Sequence, residues 1–277
     1  MHPMHMKESH ANTINLDFDA LRNLGHLGPR RAAAFTALSC RFLDGPTPNS
    51  LKDEKSLFQL QMWSEPFHGD QKSETLKEYR RWIISKAMQE LDACLSIFLD
   101  ECFTFIQYSK MHRKIISSEE KIASISNKTN VAEKYKIVAQ EIDQYSGQII
   151  LDNTYLVKFS EARNAIAHNL GFVDQRRAPD GAFTIQWLQF RLSFHFDNGE
   201  IVFLDEQEPG YKTPAESTIK ASLEETERSF KLGEYIELSE QELACISFLY
   251  LQLSDRLYAL VYNYVNQKLD DDNHSTK

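Results

Sequence analysis

The sequence predicts a mainly α-helical protein, a helical bundle with one small β insertion between its last two long helices. Over most of the chain, apolar residues recur at steps of three and four, the period of an amphipathic helix. One stretch near residue 190 instead combines aromatic and β-branched residues with partial alternation, which is typical of strands. Of the 277 residues, 42% are hydrophobic and 26% are charged, a composition that supports a large buried core.

The chain is expected to have four parts along its length. These are a polar flexible leader (1–15), an N-terminal helical extension (16–73), a main helical domain (74–268) and an acidic tail (269–277). The extension carries helical periodicity over 17–43. A helix there must stop at the following Asp-Gly-Pro-Thr-Pro-Asn run, because proline removes a backbone donor and restricts the residue before it.

Three helices open the predicted main domain. The first covers about 74–108 and spans roughly 45–50 Å at 1.5 Å per residue. A shorter helix is expected over 131–145. A third follows over 154–170, with Asn169 and Gly171 as residues that suit a helix end.

The predicted β insertion covers about 183–205. Within it, two strand-like runs flank an Asp-Asn-Gly turn at 197–199, a strong hairpin signal. The last helix is expected to begin at a Ser-x-x-Glu capping box at 239–242 and to continue to about residue 268 in unbroken steps of three and four.

Charge and motif content exclude several classes of function. Lys and Arg total 31 against 40 Asp and Glu, and the net charge of −9 argues against a broad basic surface for nucleic acid. The four cysteines form no CxxC pair, and we expect neither a metal site nor a cofactor. No glycine-rich phosphate loop or HExxH motif occurs. With no apolar run long enough for a membrane span, we expect a cytoplasmic protein without membrane partners.

One segment of the third predicted helix carries chemistry. Asn164 and His168 are four residues apart and share a helix face, with Glu161 one turn earlier as a supporting residue. Arg163 lies about 140° around the axis from His168, within reach through its long side chain. Histidine transfers protons near neutral pH, and a guanidinium can hold a phosphate and stabilise developing charge, so the set suits phosphodiester cleavage without a metal.

A structural interpretation of the same residues stays open. His168 could stabilise the helix C-terminus through the macrodipole, and Arg163 could pair with a surface carboxylate.

The Arg163-Asn164-x-x-x-His168 pattern resembles the Arg-x4-His signature of HEPN (higher eukaryotes and prokaryotes nucleotide-binding) domains. The resemblance covers about 74–268. The context of the motif also fits, because the family motif lies toward the end of a helix in a helical bundle. It implies a metal-independent endoribonuclease with a composite site at a homodimer interface. His168 would activate the ribose 2′-hydroxyl or protonate the leaving oxygen. Arg163 would bind and stabilise the scissile phosphate, and Asn164 would act as a positioning residue.

The resemblance further implies 2′,3′-cyclic phosphate ends, and a toxin, antiphage or stress effector that cuts cellular RNA. Arg176 and Arg177, just after the motif helix, are candidate RNA-binding residues, although solvated surface charge would also explain them. An antitoxin or other regulatory protein is a possible partner. One toxin branch has a modifiable tyrosine two residues after the histidine, where this chain has Leu170. The alternative function is a non-catalytic HEPN-like module that binds a nucleotide or a protein.

Overall fold

The computed structural model describes residues 15–44, 69–113, 124–146, 154–169, 171–207, 211–212 and 216–274. Within these ranges it contains five helices: α1 (Phe18–Asp44), α2 (Gly69–His112), α3 (Val131–Ser146), α4 (Thr154–Asn169) and α5 (Glu240–His274). It also contains three strands: β1 (Ala182–Phe196), β2 (Ile201–Phe203) and β3 (Ser217–Lys231). The predicted mainly α class, with a small β insertion between the last two helices, is therefore confirmed.

The N-terminal helix α1 is part of the bundle and not a peripheral addition to it. It lies against both α2 and α5. A Cβ atom at Gly28 would stand 2.8 Å from the Cβ of Cys94, so the absence of a side chain lets α1 approach α2 closely. At the N-terminal end of α1, the Phe18 ring meets the Phe105 ring edge-on at 5.3 Å between centroids. The helical extension thus shares the core of the main domain.

Helix α2 is the longest element, and 44 residues give it a length of roughly 65 Å. It begins at Gly69, five residues before the predicted start, and ends at His112. Its apolar side chains, including Leu91, Phe98 and Ile106, are buried in the main core. The linker 45–68 between α1 and α2, and the predicted leader except Asn15, lie outside the described residues.

The predicted helix ends agree with the structure at three places. The Asn130 side chain accepts a hydrogen bond from the Glu133 backbone N–H at 2.9 Å, just before α3 begins. Gly171 adopts a φ of 83° after α4, and its N–H donates to the Ala165 carbonyl at 3.1 Å. At α5, Ser239 and Glu242 bond each other's backbone N–H reciprocally, as the capping box predicts.

The far end of α5 differs from the predicted boundary at 268. The helix continues to His274, so residues 269–274 of the predicted tail extend α5. Residues 275–277 lie outside the described part of the chain.

The β insertion is a three-stranded antiparallel sheet in the order β2-β1-β3. The predicted hairpin is confirmed, because β1 pairs with β2 around the Asn-Gly turn. The sequence missed β3, which pairs with all 15 residues of β1, from Ala182 opposite Lys231 to Phe196 opposite Ser217. The insertion therefore extends well beyond 205. Strand β3 is a largely exposed edge strand, and its centre contains three glutamates and one arginine. It therefore lacks the apolar alternation that is typical of a strand.

The sheet packs on the helices through the first half of β1. Phe183, Ile185 and Trp187 alternate along the strand and are each no more than 2% exposed. Helix α4 lies between this strand and the helices α2 and α3. This arrangement leaves one side of α4, and the loop that joins it to β1, open at the surface of the bundle. No described helix has the length and apolar character needed to span a membrane.

Candidate functional site

Helix α4 carries the motif residues on two different sides. Its buried side includes Leu156, Phe159 and Ile166. On the opposite side, Glu161 and His168 are exposed and Asn164 is half-buried. The amphipathic pattern of the helix thus directs the His168 side chain toward solvent, as the sequence predicted.

An open groove of about 730 Å³ lies between the exposed side of α4 and the loop that follows it. Five of the six sequence-predicted residues line this groove together: Glu161, Asn164, His168, Arg176 and Arg177. Lys158 of α4 adds a further cation to the lining. The structure therefore brings the histidine, the amide and the two downstream arginines into one concave surface. Leu170 lies outside the described residues.

Local bonds hold the loop side of the groove in place. The Asp174 carboxylate accepts from the Arg177 backbone N–H at 3.1 Å and from its guanidinium at 2.7 Å. Val173 is fully buried and exchanges backbone hydrogen bonds with the turn after β3, donating to the Glu234 carbonyl and accepting from the Gly233 N–H. The segment that carries the arginines is thus anchored at its start by Val173 and within the turn by Asp174.

The cations of the groove are not equally available to a ligand. Lys158 pairs with Glu161 at 3.1 Å, and the Arg177 charge is balanced by Asp174. Arg176 is exposed and makes no hydrogen bond or ion pair with another residue of the described ranges. Arg176 is therefore the arginine of the groove that no described residue pairs with, although the Asp180 carboxylate also lines the groove.

Arg163 does not line the groove. Its Nε and Nη2 atoms both donate to one oxygen of Asp92, at 2.8 Å and 2.7 Å. Asp92 comes from α2 and is only 2% exposed, whereas 29% of the Arg163 side chain remains exposed. The sequence predicts that the arm of Arg163 swings toward the imidazole or pairs with a surface carboxylate, whereas the structure shows a buried carboxylate as its partner.

Asp92 lies in a small polar network inside the core. The hydroxyls of Ser160 and Tyr250 each donate to its second oxygen at 3.4 Å. Burial raises the pKa of Asp92 above its usual range, and the hydrogen bond and charge of Arg163 oppose this rise only in part. Burial, and next the charge of Asp92, raise the pKa of Tyr250 well above that of an exposed tyrosine.

Sequence reasoning missed Asp92, although the sequence contains a signal for it. Met88 lies four residues before Asp92, and Leu95 and Leu99 lie three and seven residues after it. The carboxylate of Asp92 therefore interrupts an apolar row of α2. A charged residue in such a row is buried only with a partner. Which residue supplies that partner depends on how α2 and α4 pack, and the sequence pattern does not show this.

In the described ranges, no group of three or more His, Cys, Asp or Glu side chains is placed to hold a metal ion. In comparisons with known proteins, no family model, curated protein or solved structure matches this chain.

Proposed function

We propose that this chain is a metal-independent endoribonuclease of the HEPN type that acts as a homodimer. The observation that carries the proposal is the groove, in which His168, Asn164 and Arg176 face one open volume. It provides a group that can transfer a proton, a neutral hydrogen-bonding amide and a cation within one concave surface. These are the requirements of phosphodiester cleavage without a metal.

In the proposed reaction His168 takes the proton of a ribose 2′-hydroxyl or protonates the leaving oxygen. The 2′-oxygen forms a bond to the adjacent phosphorus, and the bond from phosphorus to the 5′-oxygen of the next nucleotide breaks. The leaving oxygen receives a proton, so the products are a 2′,3′-cyclic phosphate and a 5′-hydroxyl. Arg163 and Arg176 stabilise the charge that develops on the phosphate oxygens.

The separation of Arg163 and His168 on α4 supports the proposal of a homodimer. Arg163 does not line the groove of its own subunit, so we propose that the motifs of two subunits complete one composite site. Val157, 38% exposed on the same side of α4 as His168, adds apolar surface for a second copy. Mixing Arg163→Ala and His168→Ala subunits tests this arrangement: heterodimers with one intact site would recover part of the activity. No recovery in exchanged subunits would indicate a site within one subunit.

Cleavage of RNA in EDTA tests the catalytic proposal. Wild type is expected to cleave a single-stranded oligoribonucleotide, and His168→Ala and Arg163→Ala are expected to lose about 100-fold or more in rate. His112→Ala is a matched control, because His112 is an exposed histidine at the end of α2, away from the groove. Equal rates in wild type and His168→Ala would contradict the assignment of His168.

The biological role that we propose is that of a cytoplasmic toxin, antiphage or stress effector held in check by an antitoxin or other regulatory protein. Under this proposal, expression of the wild type arrests growth and expression of His168→Ala does not. Equal growth in the two cultures, with equal protein levels, would argue against the role.

A non-catalytic binding module is the second candidate function. The ion pair between Arg163 and buried Asp92 favours it, because the pair reduces the charge that Arg163 can offer to a phosphate. Under this alternative the groove binds a nucleotide or a protein segment without breaking a bond. Oligonucleotide binding by both wild type and His168→Ala, with no cleavage by either, would support the binding module and exclude the nuclease.

A further inference from the structure

Asp92 is a buried charge whose position needs a reason. It is 2% exposed, at the junction of α2, α4 and α5, and its neighbours on α2 are core residues. A buried ion pair adds little net stability, because the desolvation of both groups offsets their attraction, and an apolar residue of similar size often serves the fold as well. The fold alone therefore does not account for a carboxylate at this place.

The geometry of the pair restricts the guanidinium of Arg163. Two of its five N–H groups, on Nε and Nη2, converge on one carboxylate oxygen. The other carboxylate oxygen is approached by the Ser160 and Tyr250 hydroxyls, so residues of α4 and α5 hold the acid from the opposite side. Because the carboxylate is held in this way, it fixes which edge of the guanidinium faces the core.

The remaining N–H groups of Arg163 belong to a side chain that is 29% exposed. An arginine on a helix surface samples many rotamers, and ordering it at the moment of reaction costs free energy. A guanidinium that is already anchored by one edge avoids that cost and can still donate from its other nitrogen positions.

We propose that Asp92 is a positioning residue for Arg163, which it orients for contact with the scissile phosphate of RNA. This inference rests on the proposed ribonuclease function and assigns to that site a residue outside the Arg-x4-His motif. Asp92 does not touch the substrate. It acts through Arg163, and the two residues form one functional unit.

Asp92→Asn tests the inference, because asparagine keeps the size of the side chain and an acceptor oxygen but removes the charge. We expect kcat for a single-stranded oligoribonucleotide in EDTA to fall about 10- to 100-fold, as for a misplaced catalytic group, with KM changed less than about threefold. Tyr250→Phe is a milder second variant that removes one hydroxyl donor to Asp92, and we expect it to lower kcat less than about tenfold.

Asp100→Asn is the matched control on the same helix. Asp100 accepts two hydrogen bonds from the buried Lys134 amine, at 2.7 Å and 2.6 Å, so this substitution also breaks an ion pair of α2 but does not touch α4. We expect it to lower stability and to leave kcat per folded molecule unchanged. A loss of kcat in Asp100→Asn equal to that in Asp92→Asn would show a general effect of α2 and overturn the inference.

A double-mutant cycle separates positioning from a structural role. If Asp92 acts through Arg163, Asp92→Asn has no further effect on kcat in an Arg163→Ala background. An equal loss of kcat in both backgrounds would overturn the inference, and so would a kcat in Asp92→Asn at or above that of wild type. If wild type still cleaves RNA in these experiments, the proposed function stands although the inference fails. Absence of cleavage by the wild type would overturn both.

Discussion

Removal of the Arg176 side chain is expected to weaken RNA binding more than removal of its neighbour Arg177. Both arginines line the groove beside His168. Arg177 has a side chain that is 17% exposed and lies 2.7 Å from the Asp174 carboxylate, whereas Arg176 is exposed and makes no ion pair within the described ranges. A phosphate that binds Arg177 must compete with the Asp174 ion pair, whereas Arg176 has no ion-pair partner within the described ranges, although Asp180 also lines the groove.

The size of the effect follows from counterion release. Each phosphate contact on a single strand contributes about 0.7 to the slope of log K against log salt concentration. Loss of the Arg176 contact is therefore expected to weaken binding about fourfold at 0.15 M salt and about eightfold at 0.05 M salt. Arg177→Ala is expected to weaken binding less than about twofold, because its charge is already balanced.

Fluorescence anisotropy with a labelled 2′-O-methyl oligonucleotide measures this difference, since the probe binds but lacks the free 2′-hydroxyl that the proposed reaction needs. The titrations are made at several salt concentrations for wild type, Arg176→Ala and Arg177→Ala. A lower salt slope for Arg176→Ala alone is the expected result. A larger loss for Arg177→Ala, or unchanged affinity and slope for Arg176→Ala, would refute the assignment of Arg176 as the more available arginine of the groove.

Three further predictions concern stability, each measured by urea unfolding at 25 °C. Burial raises the pKa of Asp92 above its ordinary value of about 4, so the stability present below that value is lost as the pH rises through the raised pKa. The free energy of unfolding of Asp92→Asn minus that of wild type should therefore increase from pH 4 to neutrality. A difference that does not change with pH would contradict this. Ser239→Ala should lose about 1 kcal/mol with the α5 cap, and no loss would show that the cap is dispensable. Gly28→Ala should lose about 1–3 kcal/mol through overpacking against Cys94, and unchanged stability would contradict the close α1–α2 contact.

The parts of the fold that the sequence predicted are those governed by local physics. The end of α4 at Asn169 and Gly171 and the cap of α5 at Ser239 each depend on a few neighbouring residues. The Asn-Gly hairpin between β1 and β2 is local in the same sense. Short-range signals of this kind are read directly from the residue order.

The parts that the sequence did not predict depend on partners that are distant along the chain. Strand β3 is polar, and its conformation is set by pairing with β1 and not by its own pattern. The Arg163 guanidinium is held by an acid 71 residues earlier, which the packing of α2 on α4 brings to it. Helix periodicity is local, so it correctly predicted that Asn164 and His168 share one side of α4. The direction of the Arg163 side chain depends on the packing of α2, and it is seen only in the structure.

The chemical identity of the RNA ends produced in EDTA tests the proposed function most directly. A short oligoribonucleotide is incubated with wild type and with His168→Ala, and the fragments are weighed by mass spectrometry. The proposed reaction gives fragments with a 2′,3′-cyclic phosphate and a 5′-hydroxyl from wild type, none from His168→Ala, and no cleavage at a 2′-deoxy position. Fragments with 5′-phosphate ends, or uncut RNA with the wild type, would contradict it.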